Sequence, residues 1–98
     1  MPGKNTSENV EYLYKTILSL ETLEECEALF EDLCTKMELA SISQRLVVAK
    51  MLSEKQVYSD IVAKTGASTA TISRVNRSLA SGAGGYEKVF SKLDKENK

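Results

Sequence analysis

An all-α fold of about six helices is predicted by three observations on this chain of 98 residues. Apolar residues recur at i, i+3, i+4 and i+7 in segment after segment. No stretch alternates with the two-residue period of a strand, and the interruptions carry glycine or a Ser/Thr able to cap a helix.

The first element is read from Val10, Leu13, Tyr14, Ile17 and Leu18, one apolar stripe of a helix over about residues 8–20. A second opens after Thr22, which with Glu25 three residues on has the spacing of a capping box. Its stripe is Cys26, Leu29, Phe30, Leu33, Cys34 and Met37, with Glu24, Glu27, Glu31 and Asp32 on the other faces. Ser41 and Gln44 repeat the capping spacing and predict a third helix, whose body from Leu46 to Leu52 is apolar on nearly every face. Such a helix must be covered all round, so it is expected at the centre of the fold. Val57 to Lys64 is long enough for two turns of a fourth helix, stopped by Gly66. Ser68 then caps a fifth, from Thr69 to about Ala80, with Ile72, Val75 and Leu79 on one side. After Gly82-Ala83-Gly84-Gly85, Tyr86, Val89, Phe90 and Leu93 form a short sixth, and Asp94–Lys98 is a charged end expected to fray. The stripes of the first two helices read as core. They close either within one small chain or by interleaving with a second copy, and the homodimer is preferred because a domain this small is marginal alone.

Composition narrows the chemistry. The chain has no His, no Trp and two Cys, so a zinc site of about four nitrogen and sulfur ligands lacks its donors. Cys26 and Cys34 read as small buried hydrophobes in a reducing compartment. Without His, general acid–base work falls to carboxylates, Lys or Tyr, and no constellation of them stands out, so an enzyme is not expected. No apolar run approaches the roughly 18 residues of a membrane span. The polar opening from Met1 to Asn9 lacks the apolar stretch of a secretory signal, and the chain reads as cytoplasmic with no membrane partner.

A net charge of −1 and an isoelectric point near 5.5 argue at first sight against a nucleic-acid partner. The distribution argues the other way. Residues 1–38 hold nine acids against three bases, whereas residues 39–98 hold five acids against ten bases. Between Ile61 and Tyr86 there are Lys64, Arg74 and Arg77 and no acid. A polyanion feels the field within about a Debye length, roughly 8–10 Å, and not the sum over the chain.

Within that window, about residues 58–79, the spacing is that of a helix–turn–helix. An apolar residue precedes the turn glycine by five (Ile61, Gly66), an N-cap follows by two (Ser68), and apolar residues follow by six and nine (Ile72, Val75). Docking through Ile72 and Val75 turns Thr69, Ala70, Ser73, Arg74 and Arg77 outward, with Thr71 at the edge. This face is small, polar and basic, as a helix entering the major groove of double-stranded DNA requires. Arg74 and Arg77 can pair with guanine bidentately or hold phosphate, and the helix start at Ser68 offers backbone N–H groups to a phosphate. Tyr58, Ser59 and Lys64 fall where the first motif helix crosses the backbone and suit positioning more than readout. The same helical corner also occurs in protein-interaction modules that bind no DNA, and the acidic second helix would suit a basic partner.

The run Gly66-Ala67-Ser68-Thr69-Ala70-Thr71-Ile72-Ser73-Arg74-Val75-Asn76-Arg77 resembles the recognition segment of bacterial repressors. Lac-repressor-type headpieces share much of it but begin with it. Three helices before the motif and a Gly-rich joint with one helix after it resemble instead the Trp repressor superfamily, in particular its YerC/YecD-type branch. That resemblance covers roughly residues 10–93. It implies one Trp-repressor-like domain over 1–98 with flexible tails at 1–8 and 94–98, an intertwined homodimer, and a repressor-like regulator of transcription at the bacterial nucleoid.

The resemblance does not carry the tryptophan co-repressor with it. In the Trp repressor two arginines, the second followed by a small residue, make room for the indole. Arg74 matches the second arginine and Ser78 a nearby polar position. The first falls near Gln44 with Arg45 adjacent, and a slip of one residue on a helix turns a side chain by about 100°. The small residue is Val75, whose branches would fill the slot of a planar ring. No cofactor is therefore expected, and a small-molecule effector is left open.

Overall fold

The structure, a computed structural model, describes residues 2–96; Met1, Asn97 and Lys98 lie outside the described residues. Among the described residues it is all-α, with six helices: α1 (Thr6–Leu18), α2 (Leu23–Leu33), α3 (Lys36–Ser53), α4 (Tyr58–Thr65), α5 (Thr69–Ser81) and α6 (Gly85–Glu96). Residues 6–8 and 94–96, expected in the tails, are thus helical. Among the described residues no helix is long and apolar enough to cross a membrane. The chain divides into two compact units, Met1–Leu39 and Ala40–Lys98, with α3 starting in the first and running on through the second.

In the first unit the helix starts are set by side-chain caps. Asn5 accepts from the Glu8 backbone N–H at 3.2 Å, so α1 begins two residues ahead of the predicted start. Thr22 caps α2 as its spacing predicts, its hydroxyl accepting from the Glu25 N–H at 3.1 Å; the Glu25 carboxylate reaches back to the N–H of Glu21. The stripe ending in Met37 suggested one continuous element, but Cys34 is extended and stops α2 one turn earlier. Thr35 and Glu38 then form a reciprocal capping box, with Glu38 N–H donating to the Thr35 hydroxyl at 3.1 Å and Thr35 N–H to the Glu38 carboxylate at 2.9 Å. The expected start after Ser41 is therefore corrected. Ser41 lies inside α3, where its hydroxyl accepts from Arg45 at 3.1 Å.

The capping box has a pH signature. The Thr35 backbone N–H, and after it the Thr35 hydroxyl, hold the Glu38 carboxyl below the ordinary glutamate range. A folded-state pKa below the unfolded one contributes stability above the unfolded value, lost as pH falls through the folded one. An NMR titration should therefore place the Glu38 midpoint below the ordinary glutamate value, and Thr35→Ala should move it upward. An unshifted midpoint would reject the box.

The second unit holds the core. Val48 and Ala49 of α3, Ile61 of α4, Ala67 of the following turn, Ile72 and Val75 of α5 and Phe90 of α6 form one buried cluster, flanked by Met51, Leu52, Leu79 and Tyr86. The α3–α4 connection closes with Gln56 N–H on the Met51 carbonyl at 3.1 Å and Lys55 in the left-handed region, φ 66°. On α6, Phe90 stacks on Tyr86, with centroids 5.9 Å apart. The ammonium of Lys50 lies 5.1 Å from the Phe90 centroid and pairs with Asp94 at 3.0 Å, fixing α6 to α3.

Burial differs from expectation in α3, in the first two helices and at the two cysteines. α3 is not covered all round: Val48 and Ala49 are fully buried, whereas Leu46 and Val47 are exposed. Neither α1 nor α2 has a fully buried residue, and Leu18 and Met37 are each 84% exposed. Cys26 and Cys34, expected to be buried, are free and only half-buried. The buried core cluster lies within the second unit.

Candidate nucleic-acid interface

The site is built on α4, the turn and α5. Gly66 ends α4 with φ 73°, a left-handed conformation that costs an L side chain roughly 1–2 kcal/mol, and its N–H closes on the Val62 carbonyl. Ser68, extended, starts α5 by accepting the Thr71 N–H at 3.1 Å; its own hydroxyl donates to the Thr71 hydroxyl at 3.0 Å. The three residues Gly66, Ala67 and Ser68 form the turn between α4 and α5. Ala67, in the middle, is buried, which forces a small apolar residue into an otherwise polar turn.

Polar groups of the turn converge on Thr65. Its hydroxyl donates to the Ile61 carbonyl at 2.7 Å and accepts the Ala67 N–H at 3.1 Å. Its carbonyl, one of the unpaired acceptors at a helix end, receives the side-chain N–H of Gln44 at 3.1 Å, from 21 residues earlier in the chain. Ile61 and Ile72 are fully buried and Val75 nearly so, so α4 and α5 dock through the three apolar positions that the spacing singles out.

That docking leaves Thr69, Ala70, Arg74 and Arg77 exposed, with Thr71 and Ser73 half-buried beside them. From Thr69 to Arg77 a helix rises about 12 Å, close to the roughly 12 Å width of the major groove. The first turn of α5 carries no acid, and neither arginine forms an ion pair with a described residue. Tyr58 and Ser59 are exposed at the start of α4. Lys64, in its last turn, donates to the side-chain oxygen of Gln56 at 3.1 Å. The structure thus collects on α4, α5 and the turn between them the ten residues read as the candidate site. Reading Gln44 as part of a helix cap missed its role in the turn, and the sequence reading gave Ala67 no role of its own. An apolar residue between a turn glycine and a cap was the available signal for Ala67, whereas the partner of Gln44 is a backbone atom of a distant residue and leaves no trace in sequence.

Among the described residues no group of three or more His, Cys, Asp and Glu is placed to hold a metal ion. The family model of the Trp repressor protein matches residues 8–94. The chain is 48% identical over 90 residues to the uncharacterized protein YerC of Bacillus subtilis strain 168, covering 92% of this chain and 86% of that one. It superposes on a TrpR-like protein of Eubacterium eligens with a TM-score of 0.87 at 56% identity, over 91% of this chain and 92% of that one. A candidate Trp repressor from Staphylococcus aureus gives a TM-score of 0.85 at 46% identity, over 89% and 87% of the two chains. With its fold, its helical corner and nearly its whole length matched in this way, the chain belongs to the Trp repressor family.

Proposed function

We propose that this chain is a sequence-specific DNA-binding regulator of transcription, repressor-like, acting in the cytoplasm as a homodimer. One observation carries the reading: α5 presents an exposed cationic face whose apolar back, Ile72 and Val75, is buried. In the roles assigned here, Thr69, Ala70 and Ser73 meet base edges, and Arg74 and Arg77 hold guanine or phosphate. Ser68 and Thr71 set the helix start at the groove, while Tyr58, Ser59 and Lys64 position α4 on the phosphate backbone. The exposed apolar residues of α1, α2 and the start of α3 support the homodimer, which would bring two α5 helices to half-sites about 34 Å apart.

Selection from random duplexes with the purified chain tests the proposal and should return a two-fold symmetric site whose binding weakens steeply with salt. Failure to retain any duplex at low salt would overturn it in favour of a protein-interaction module.

Tryptophan is not proposed as its effector. Val75, which the resemblance aligns with the small residue beside the indole, is a branched side chain buried in the core, and the Gln44 amide is bonded to the Thr65 carbonyl. Calorimetric titration with L-tryptophan should give no heat of binding at micromolar ligand. A micromolar dissociation constant would refute this assignment of Val75 and Gln44.

A further inference from the structure

We infer that Gln44 is a positioning residue of the reading head, the side chain through which α3 fixes the turn between α4 and α5; the inference rests on the DNA-binding reading above. Two side-chain hydrogen bonds run from α3 to later helices among the described residues. One is Lys50 to Asp94, on the exposed flank of α6. The other is Gln44 to the Thr65 carbonyl, part-buried and directly at the corner of the motif.

The apolar contacts of the core do not define the turn by themselves. Val48, Met51 and Leu52, at i+4, i+7 and i+8 from Gln44, lie on the same side of α3 and contribute to the core or its margin, and side chains of this kind grip without direction. Gln44 is the polar end of that stripe, and a hydrogen bond is directional. Its acceptor belongs to Thr65, whose hydroxyl also ties Ile61 to Ala67. Gly66 follows immediately and, in the left-handed region, is where rotation of the backbone would swing α5. One amide thus holds the residue next to the hinge, and with it the angle at which Thr69 and Arg77 are presented.

Two variants of nearly the same length test this without depending on one of them folding well. Gln44→Met removes the donor, and Gln44→Glu replaces it at neutral pH with a charge facing the carbonyl. Hydrogen exchange is read at the Gly66 and Ala67 amides, and binding is read against both the selected duplex and random duplex over a salt series. Gln44→Met should exchange about fivefold faster at these two amides, the amount one net hydrogen bond sustains, while the Phe90 amide keeps its rate. Gln44→Glu should exceed it at the same amides. Preference for the selected over the random duplex should fall about fivefold in Gln44→Met with the salt slope unchanged, because the same phosphates remain neutralised. A loss of stability alone would speed exchange throughout and leave the preference intact, and that result would overturn the inference, as would unchanged exchange at Gly66 and Ala67. If the unmodified chain binds no duplex, the DNA-binding reading fails, and the exchange rates alone decide whether Gln44 holds the turn.

Discussion

Replacing Arg74 and Arg77 together by alanine should weaken binding to the selected duplex by at least about 10³-fold, because the proposed homodimer then loses four charged interactions each worth roughly 1–3 kcal/mol. The plot of log affinity against log salt should flatten by about one unit for each phosphate that an arginine no longer neutralises. Both side chains are exposed and neither is tied to a described acid, so the protein gives up no internal ion pair when they go. Stability should therefore move by no more than about 0.5 kcal/mol, as for surface substitutions in general. Mobility-shift titrations at several salt concentrations, run beside thermal melts, separate the two quantities. Unchanged affinity in the double variant would reject the α5 face as the DNA-binding surface.

Ile72→Ala should do the opposite, removing the fold first and the binding with it. Ile72 is fully buried and packs with Val48, Ile61 and Val75 at the centre of the second unit. Truncation of such a residue costs about 2–5 kcal/mol, because a cavity is left where a close-packed side chain stood. In a domain of this size, whose whole stability is of the order of 5–15 kcal/mol, that lowers the melting temperature by roughly 10–20 °C or more. Circular dichroism melts of Ile72→Ala and of the exposed control Asn76→Ala should differ by that margin. Equal melting temperatures would mean that the α4–α5 pairing is not what holds the motif.

The helix–turn–helix was legible in sequence because every requirement there is local. Ile61, Gly66, Ser68, Ile72 and Val75 fall within fifteen residues, and each acts through backbone conformation or a neighbouring turn. The first half of the chain was harder to read. The apolar stripe from Cys26 to Met37 concealed the break at Cys34, because α3 resumes with apolar residues still in phase. The pair Thr35 and Glu38 had the capping spacing but sat inside that stripe, whereas Ser41 and Gln44 had the same spacing at a visible change of composition. Spacing alone does not distinguish a capping box from a helix interior; the N–H groups of the residues between decide. The covering of α3 was also misjudged, since the pattern shows which residues are apolar and not whether this chain supplies their neighbours. Gln44 shows the remaining limit, a side chain whose partner is a carbonyl that every residue possesses.

Leu18, Met37, Leu46 and Val47 stand in water in the isolated chain. In the proposed dimer their shelter would come from another molecule, which would couple the burial of these side chains to a second-order assembly step. Its equilibrium then carries the logarithm of concentration, and each tenfold dilution removes about 1.4 kcal/mol from the associated state. Scarcity itself becomes a denaturant: a cell holding few copies of this protein would lose functional molecules faster than it loses polypeptide.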